Sequence, residues 1–142
     1  MNEQACFERA LELAASKHKG QTDKGGNPYI LHPLAVMSRM DTLEEKTVAL
    51  LHDIVEDTDV TFETLEEEEF PEDIIDGVRS VTREENETYD EFIKRCKENA
   101  LGRKVKRGDL LENSDLSRIP NPTKRDIERV NTRYKKALEY LE

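Results

Sequence analysis

The stretch Ala49-Leu50-Leu51-His52-Asp53-Ile54-Val55-Glu56-Asp57-Thr58 decides how the chain is read. Placed on a helix at about 100° per residue, its side chains divide into two arcs. Val48, Leu50, Leu51, Ile54 and Val55 fill an apolar arc of roughly 160°. His52, Asp53, Glu56 and Asp57 fill the other, with only small Ala49 among them. A solvated helix face carries lysine or arginine three or four residues from its acids, and none is present here. Three carboxylates within six residues, beside one imidazole, repel one another unless a cation or a substrate proton resolves the conflict. The alternative is a plain acidic surface on an acidic protein.

Working outward, helical periodicity continues almost throughout, and no segment keeps a strand-like alternation. A first helix is predicted over Glu3 to Lys17, with Phe7, Ala10, Leu11 and Ala14 inward. Gly20 to Pro28 is a loop on its turn chemistry, without the GxxxxGK[ST] pattern of a phosphate-binding loop. Pro33 suits the first turn of a second helix, because its missing N–H costs nothing there. His32 is thereby placed near the amino end of a helix reaching about Met40. Thr42-Leu43-Glu44-Glu45 is a capping box that opens the helix bearing His52 and Asp53, which Thr58 and Asp59 end. Thr61 and Pro71 begin two more helices, the latter burying Ile74, Ile75 and Val78. Thr88-Tyr89-Asp90-Glu91 is a second capping box, for a helix to about Asn99.

Arg103 to Asn113 reads as a helix with Lys106, Asp109 and Asn113 on one face. Gly108 inside it lowers helix propensity and predicts close packing against a neighbour. After Pro120-Asn121-Pro122-Thr123, a final amphipathic helix from Lys124 to Leu141 should bury Ile127, Val130, Tyr134, Ala137, Leu138 and Leu141. The fold class expected is all-α, a bundle of seven to eight helices. With no repeat, linker or low-complexity tract, residues 1–142 are read as one domain.

The formal net charge of −10 argues against general nucleic-acid binding, which needs a basic footprint. It leaves room for a small anionic substrate, since cations cluster at Arg103, Lys104, Lys106 and Arg107. No apolar run approaches the roughly 20 residues that span a bilayer. The amino terminus lacks the basic and apolar regions of a signal peptide. Cys6 and Cys96 match no metal or redox spacing, which suits small buried thiols in a reducing compartment. Together these predict a cytoplasmic protein that binds neither membrane nor nucleic acid; they leave the oligomeric state open.

A divalent ion needs nitrogen and oxygen ligands converging from different elements, with positions left open to water. Besides His52, the chain has two histidines, His18 and His32, and Asp109 lies on a helix with a polar face. The ordered set His32, His52-Asp53 and Asp109 resembles the H…HD…D pattern of HD-domain metal-dependent phosphohydrolases. The similarity continues around it. Gly20-Gln21, Asn27-Pro28-Tyr29-Ile30-Leu31-His32-Pro33, the stretch Ala49 to Thr58, and Val105-Lys106-Arg107-Gly108-Asp109-Leu110-Leu111-Glu112-Asn113 resemble the hydrolase domain of RelA/SpoT-type alarmone enzymes, especially the short single-domain kind.

That resemblance implies a fold, a cofactor and a set of roles. The fold is the HD-type helical bundle. His32, His52, Asp53 and Asp109 match the metal ligands, with Mn²⁺ the common ion and another divalent cation the alternative. Glu56 and Asp57 match the acidic pair that positions or deprotonates the attacking water. Asn113 and Lys106 match positions lining the nucleotide site, and His18 and Lys24 are further substrate-contact candidates. The implied reaction removes pyrophosphate from the 3′ position of a guanosine alarmone, (p)ppGpp, and the implied partner is that small nucleotide. Alternatives are another nucleotide or small phosphoester as substrate, or a helical nucleotide-sensing module without turnover. The chain departs from the family pattern twice: Asp23 stands where arginine is common, and Glu112 where neutral or basic residues are usual.

Overall fold

The computed structural model describes residues 1–142, the side chain of Arg118 excepted. The described residues contain no strand, only one isolated antiparallel bridge between Thr22 and Pro28. Eight helices precede a short 3-10 turn: α1 (Glu3–Lys17), α2 (Leu31–Ser38), α3 (Leu43–Leu51), α4 (Ile54–Asp57), α5 (Phe62–Glu67), α6 (Glu72–Ser80), α7 (Tyr89–Glu98) and α8 (Ala100–Asn113), then Leu116–Arg118. The chain ends in α9 (Lys124–Arg129), a π-helical turn (Val130–Tyr134) and α10 (Lys135–Leu141), which follow one another without a break. The all-α expectation holds.

Local chemistry sets the helix starts. Thr42 and Glu45 exchange the reciprocal bonds of a capping box at α3, as do Thr88 and Glu91 at α7. Each box satisfies two backbone donors that the helix leaves unpaired. Helix α8 begins three residues earlier than expected, because the Asn99 side chain accepts from the Gly102 N–H at 2.9 Å and caps the helix there.

Helix α3 is the hub, packed against α1, α2, α6 and α8. Val48, Ala49, Leu50 and Leu51 are fully buried in it, so four consecutive positions meet protein on every side. Ala49 is therefore core rather than part of a polar arc. Two burial expectations need correction. In α1 the inward residues are Cys6, Ala10, Leu13 and Ala14, and Leu11 is 37% exposed. In α9, Ile127 is 43% exposed, because the core contact of the carboxy-terminal run comes from Ala137 and Leu141.

Gly108 shows why a glycine stands inside α8. A Cβ there would come within 2.8 Å of Met40 Cε and 3.3 Å of Val36 Cγ1, so its absence lets α8 approach α2 closely. The next residue, Asp109, is brought by that approach to His32 near the start of α2.

The helix expected to run from Thr42 to Thr58 is interrupted. Helix α3 stops at Leu51, His52 and Asp53 form a turn, and α4 starts at Ile54. Adjacent residues of a continuous helix point about 100° apart and do not face each other. Breaking the helix at Asp53, with φ −106° and ψ 0°, lets both side chains converge.

Candidate functional site

His52 caps the end of α3, and its Nδ1 donates to the Ala49 carbonyl oxygen at 2.6 Å. That bond fixes the tautomer and leaves the Nε2 lone pair pointing away from the helix. Around that atom stand His32 Nε2 at 3.3 Å, Asp53 Oδ2 at 3.1 Å and Asp109 Oδ1 at 3.4 Å. His32 Nε2 is itself 2.8 Å from Asp109 Oδ1 and 3.7 Å from Asp53 Oδ2. One ligand atom from each of the four residues lies within 4.8 Å of all the others. His52 and Asp109 are only 2% and 5% exposed.

Two imidazole nitrogens and two carboxylate oxygens aimed at one point form a donor set suited to a divalent cation. Without an ion, protons take up the conflict. Burial disfavours the charged His52 ring, but the Asp53 charge and hydrogen bonds to Asp109 and Asp53 outweigh it and hold its pKa well above 6.5. Burial likewise opposes ionised Asp109, yet the Lys106 charge and bonds from both histidines hold its carboxyl well below the usual range.

The remaining contacts orient those side chains. Tyr29 donates its hydroxyl to Asp53 Oδ2. Lys106 Nζ donates to Asp109 Oδ2 at 2.9 Å, and Asn113 Nδ2 to Asp109 Oδ1 at 3.1 Å. Burial and the neighbouring Asp53 charge push the Tyr29 pKa far up, so its phenol stays a donor. The signal for Tyr29 in the sequence is its place three residues before His32.

The cluster opens into a cavity of about 490 Å³, within the range of small-ligand sites. His32, Asp53, Lys106, Asp109 and Asn113 line it, and so does Lys24 on the loop before α2. The opposite wall is the carboxy-terminal run, through Asp126, Arg129, Val130 and Tyr134. No motif in the sequence marks that wall. Lys24 Nζ reaches it, bonding Asp126 Oδ1 at 3.0 Å.

Glu56 and Asp57 lie on α4, just past the His52-Asp53 turn, and are not among the cavity-lining residues. Glu56 Oε1 accepts from the Arg83 N–H at 2.5 Å. Burial raises the pKa of both carboxyls, and the Asp53 charge adds to it. His18 does not reach the cavity as expected. It is buried behind Tyr29, with ring centroids 5.0 Å apart, and its Nδ1 pairs with Gln21 Oε1 at 2.8 Å. Asp23 is committed to its own loop, accepting from the N–H groups of Gly25 and Asn27 at 2.9 Å each. Glu112, buried on the cavity wall, bonds Arg39 Nε at 2.8 Å.

Residues 10–106 match the family model described as HD domain. The chain belongs to the HD-domain family. Family membership carries divalent-metal dependence, and the four-residue cluster is where this HD domain can hold the ion. Among curated relatives, it is 37% identical over 119 residues to a guanosine-3′,5′-bis(diphosphate) 3′-pyrophosphohydrolase of Aquifex aeolicus, covering 75% of this chain and 17% of that one. It is 35% identical over 133 residues to a probable GTP pyrophosphokinase of Mycobacterium leprae, covering 84% of this chain and 17% of that protein. The HD domain thus spans 17% of the length of each of these two relatives. A solved structure, described as a metazoan ortholog of SpoT that hydrolyzes ppGpp, superposes with a TM-score of 0.75 at 30% identity. The match covers 96% of this chain and 85% of that one. The chain is therefore an HD domain of the SpoT type.

Proposed function

We propose that this HD domain is a Mn²⁺-dependent phosphohydrolase that removes pyrophosphate from the 3′ position of guanosine alarmones, acting in the cytoplasm as a single unit over residues 1–142. The observation that carries the reading is the convergence of His32, His52, Asp53 and Asp109 beside a nucleotide-sized cavity that three of them, His32, Asp53 and Asp109, line. The relatives named as 3′-pyrophosphohydrolases support the choice of substrate.

In this reading His32, His52, Asp53 and Asp109 hold the ion. When bound, it supplies Lewis-acid polarisation and brings the pKa of a coordinated water from 15.7 to about 7. Glu56 takes the proton of the attacking water on a carboxylate oxygen, and its raised pKa brings it closer to the working pH of a general base. Asp57 positions that water. Lys106 and Asn113 keep Asp109 oriented and face the substrate; Lys24 offers a cation to a phosphate once Asp126 yields it. Water adds to the phosphorus bound to the 3′ oxygen, the P–O3′ bond breaks, the ribose oxygen gains a proton, and pyrophosphate leaves.

A second reading, another nucleotide on the same centre, is favoured by one observation. Asp23 and Glu112 put carboxylates on the walls that would surround a base. Pyrophosphate and phosphate release across a nucleotide panel, with Mn²⁺ and with chelator, tests both. Chelator-sensitive pyrophosphate release from ppGpp is expected; release from a different nucleotide alone would favour the second reading, and none from any would reject both.

A further inference from the structure

A second groove, of about 690 Å³, lies between α7 and the carboxy-terminal run, lined among others by Tyr89, Ile93, Lys94, Arg133, Lys136 and Tyr140. Its charge is opposite to that of the whole molecule. Lys94, Arg133 and Lys136 face one lining carboxylate, Asp90, on a chain of net charge −10. Among the described residues none of the three cations forms an ion pair within 4.0 Å. Elsewhere in this acidic protein Arg9, Lys17, Arg39, Arg95 and Lys104 each find a carboxylate.

The groove also offers aromatic faces. Tyr140 is 44% exposed, with Lys97 Nζ 4.5 Å from its ring centroid. The Arg133 guanidinium lies 4.3 Å from the Tyr89 ring, and among the described residues the buried Tyr89 hydroxyl has no hydrogen-bond partner. The π-helical turn builds this wall. On a continued α-helix, Arg133 would point within about 20° of Asp126, into the first cavity, and Tyr134 about 80° away. The wider turn, closing five residues on, instead gives Tyr134 to the first cavity and Arg133 to the groove.

We propose that this groove is a second nucleotide site, separate from the metal cluster, which takes the phosphates on Lys94, Arg133 and Lys136 and the base against Tyr140. Unpaired cations bind phosphate through charge-assisted hydrogen bonds, while a tyrosine face supplies stacking that accepts any base. Neither element alone makes a nucleotide site; their adjacency over one apolar floor, with Ile93 and Ala137, does.

The test is titration of the full ¹⁵N-labelled chain with GDP, which the proposed reaction does not consume, followed by amide shifts. Groove amides from Thr88 to Lys94 and from Arg133 to Tyr140 are expected to respond. K94E/K136E, at two exposed positions, should weaken that response at least tenfold while amides around Lys24 and Asn113 keep theirs. Y140A should weaken GDP but not pyrophosphate, and pyrophosphate or guanosine alone should bind at least tenfold more weakly than GDP. No groove response at millimolar GDP, a response that survives K94E/K136E, or pyrophosphate binding as well as GDP would each overturn the proposal. None of these readouts depends on turnover, so a failed hydrolysis assay leaves it standing.

Discussion

Asp109 on α8 meets His32 on α2 across 77 residues of sequence, with Oδ1 2.8 Å from the ring Nε2, while Oδ2 of the same carboxylate holds half-buried Lys106 at 2.9 Å. One side chain thus joins the four-residue cluster to the cation beside it. Asp109→Ala should empty the centre and leave the half-buried Lys106 charge without its partner, at a cost below the roughly 3–5 kcal/mol of a fully buried pair. Lys106→Met in the same chain should recover most of that stability and none of the metal. Urea denaturation of both variants, with metal analysis, checks the pair.

Tyr29 acts on the centre through Asp53. Tyr29→Phe keeps the ring against His18 and His32 and removes only the hydroxyl donated to Asp53. The fold should persist while Mn²⁺ affinity drops by roughly 10- to 100-fold, the usual cost of losing an outer partner of a metal ligand. Isothermal titration with Mn²⁺ reads the change.

Glu56→Gln should retain metal and nucleotide and lower kcat by a factor of about 10² or more. Because burial and the Asp53 and Asp57 charges favour the protonated form of Glu56, the acidic limb of the wild-type pH–rate profile should lie above that of an ordinary exposed glutamate. The rate falls as pH drops through the Glu56 pKa, and the limb should vanish in the glutamine variant.

The metal-free protein should lose stability as pH rises. His52 has a folded pKa well above its ordinary 6.5, so its contribution is fully present below about 6.5 and is lost as pH climbs through the folded value. An ion in place of the proton removes that dependence. Thermal melts above pH 7, with chelator and with Mn²⁺, should diverge; parallel curves would show that His52 holds no such proton.

Much of this was legible from residue types and spacing. The two capping boxes sit where Thr42/Glu45 and Thr88/Glu91 predict, because N-cap chemistry is local and survives tertiary packing. Gly108 announced the α2–α8 approach. The break at His52-Asp53 was not readable, because helix propensity carries no information about how that turn packs against α2 and α8. His18 illustrates the same limit, since a histidine at a helix end does not tell whether the ring faces a cavity or packs behind Tyr29. The cavity wall at Asp126, Arg129 and Tyr134 depends on a π-helical turn that no residue in Val130 to Tyr134 signals.

The most direct test of the account is metal stoichiometry. Protein stripped with chelator and titrated with Mn²⁺ should bind one ion per chain at the His32, His52, Asp53 and Asp109 cluster, and His52→Ala should bind none there. A folded wild-type chain that takes up no divalent ion, or a His52→Ala variant that binds it as tightly as wild type, would contradict the account.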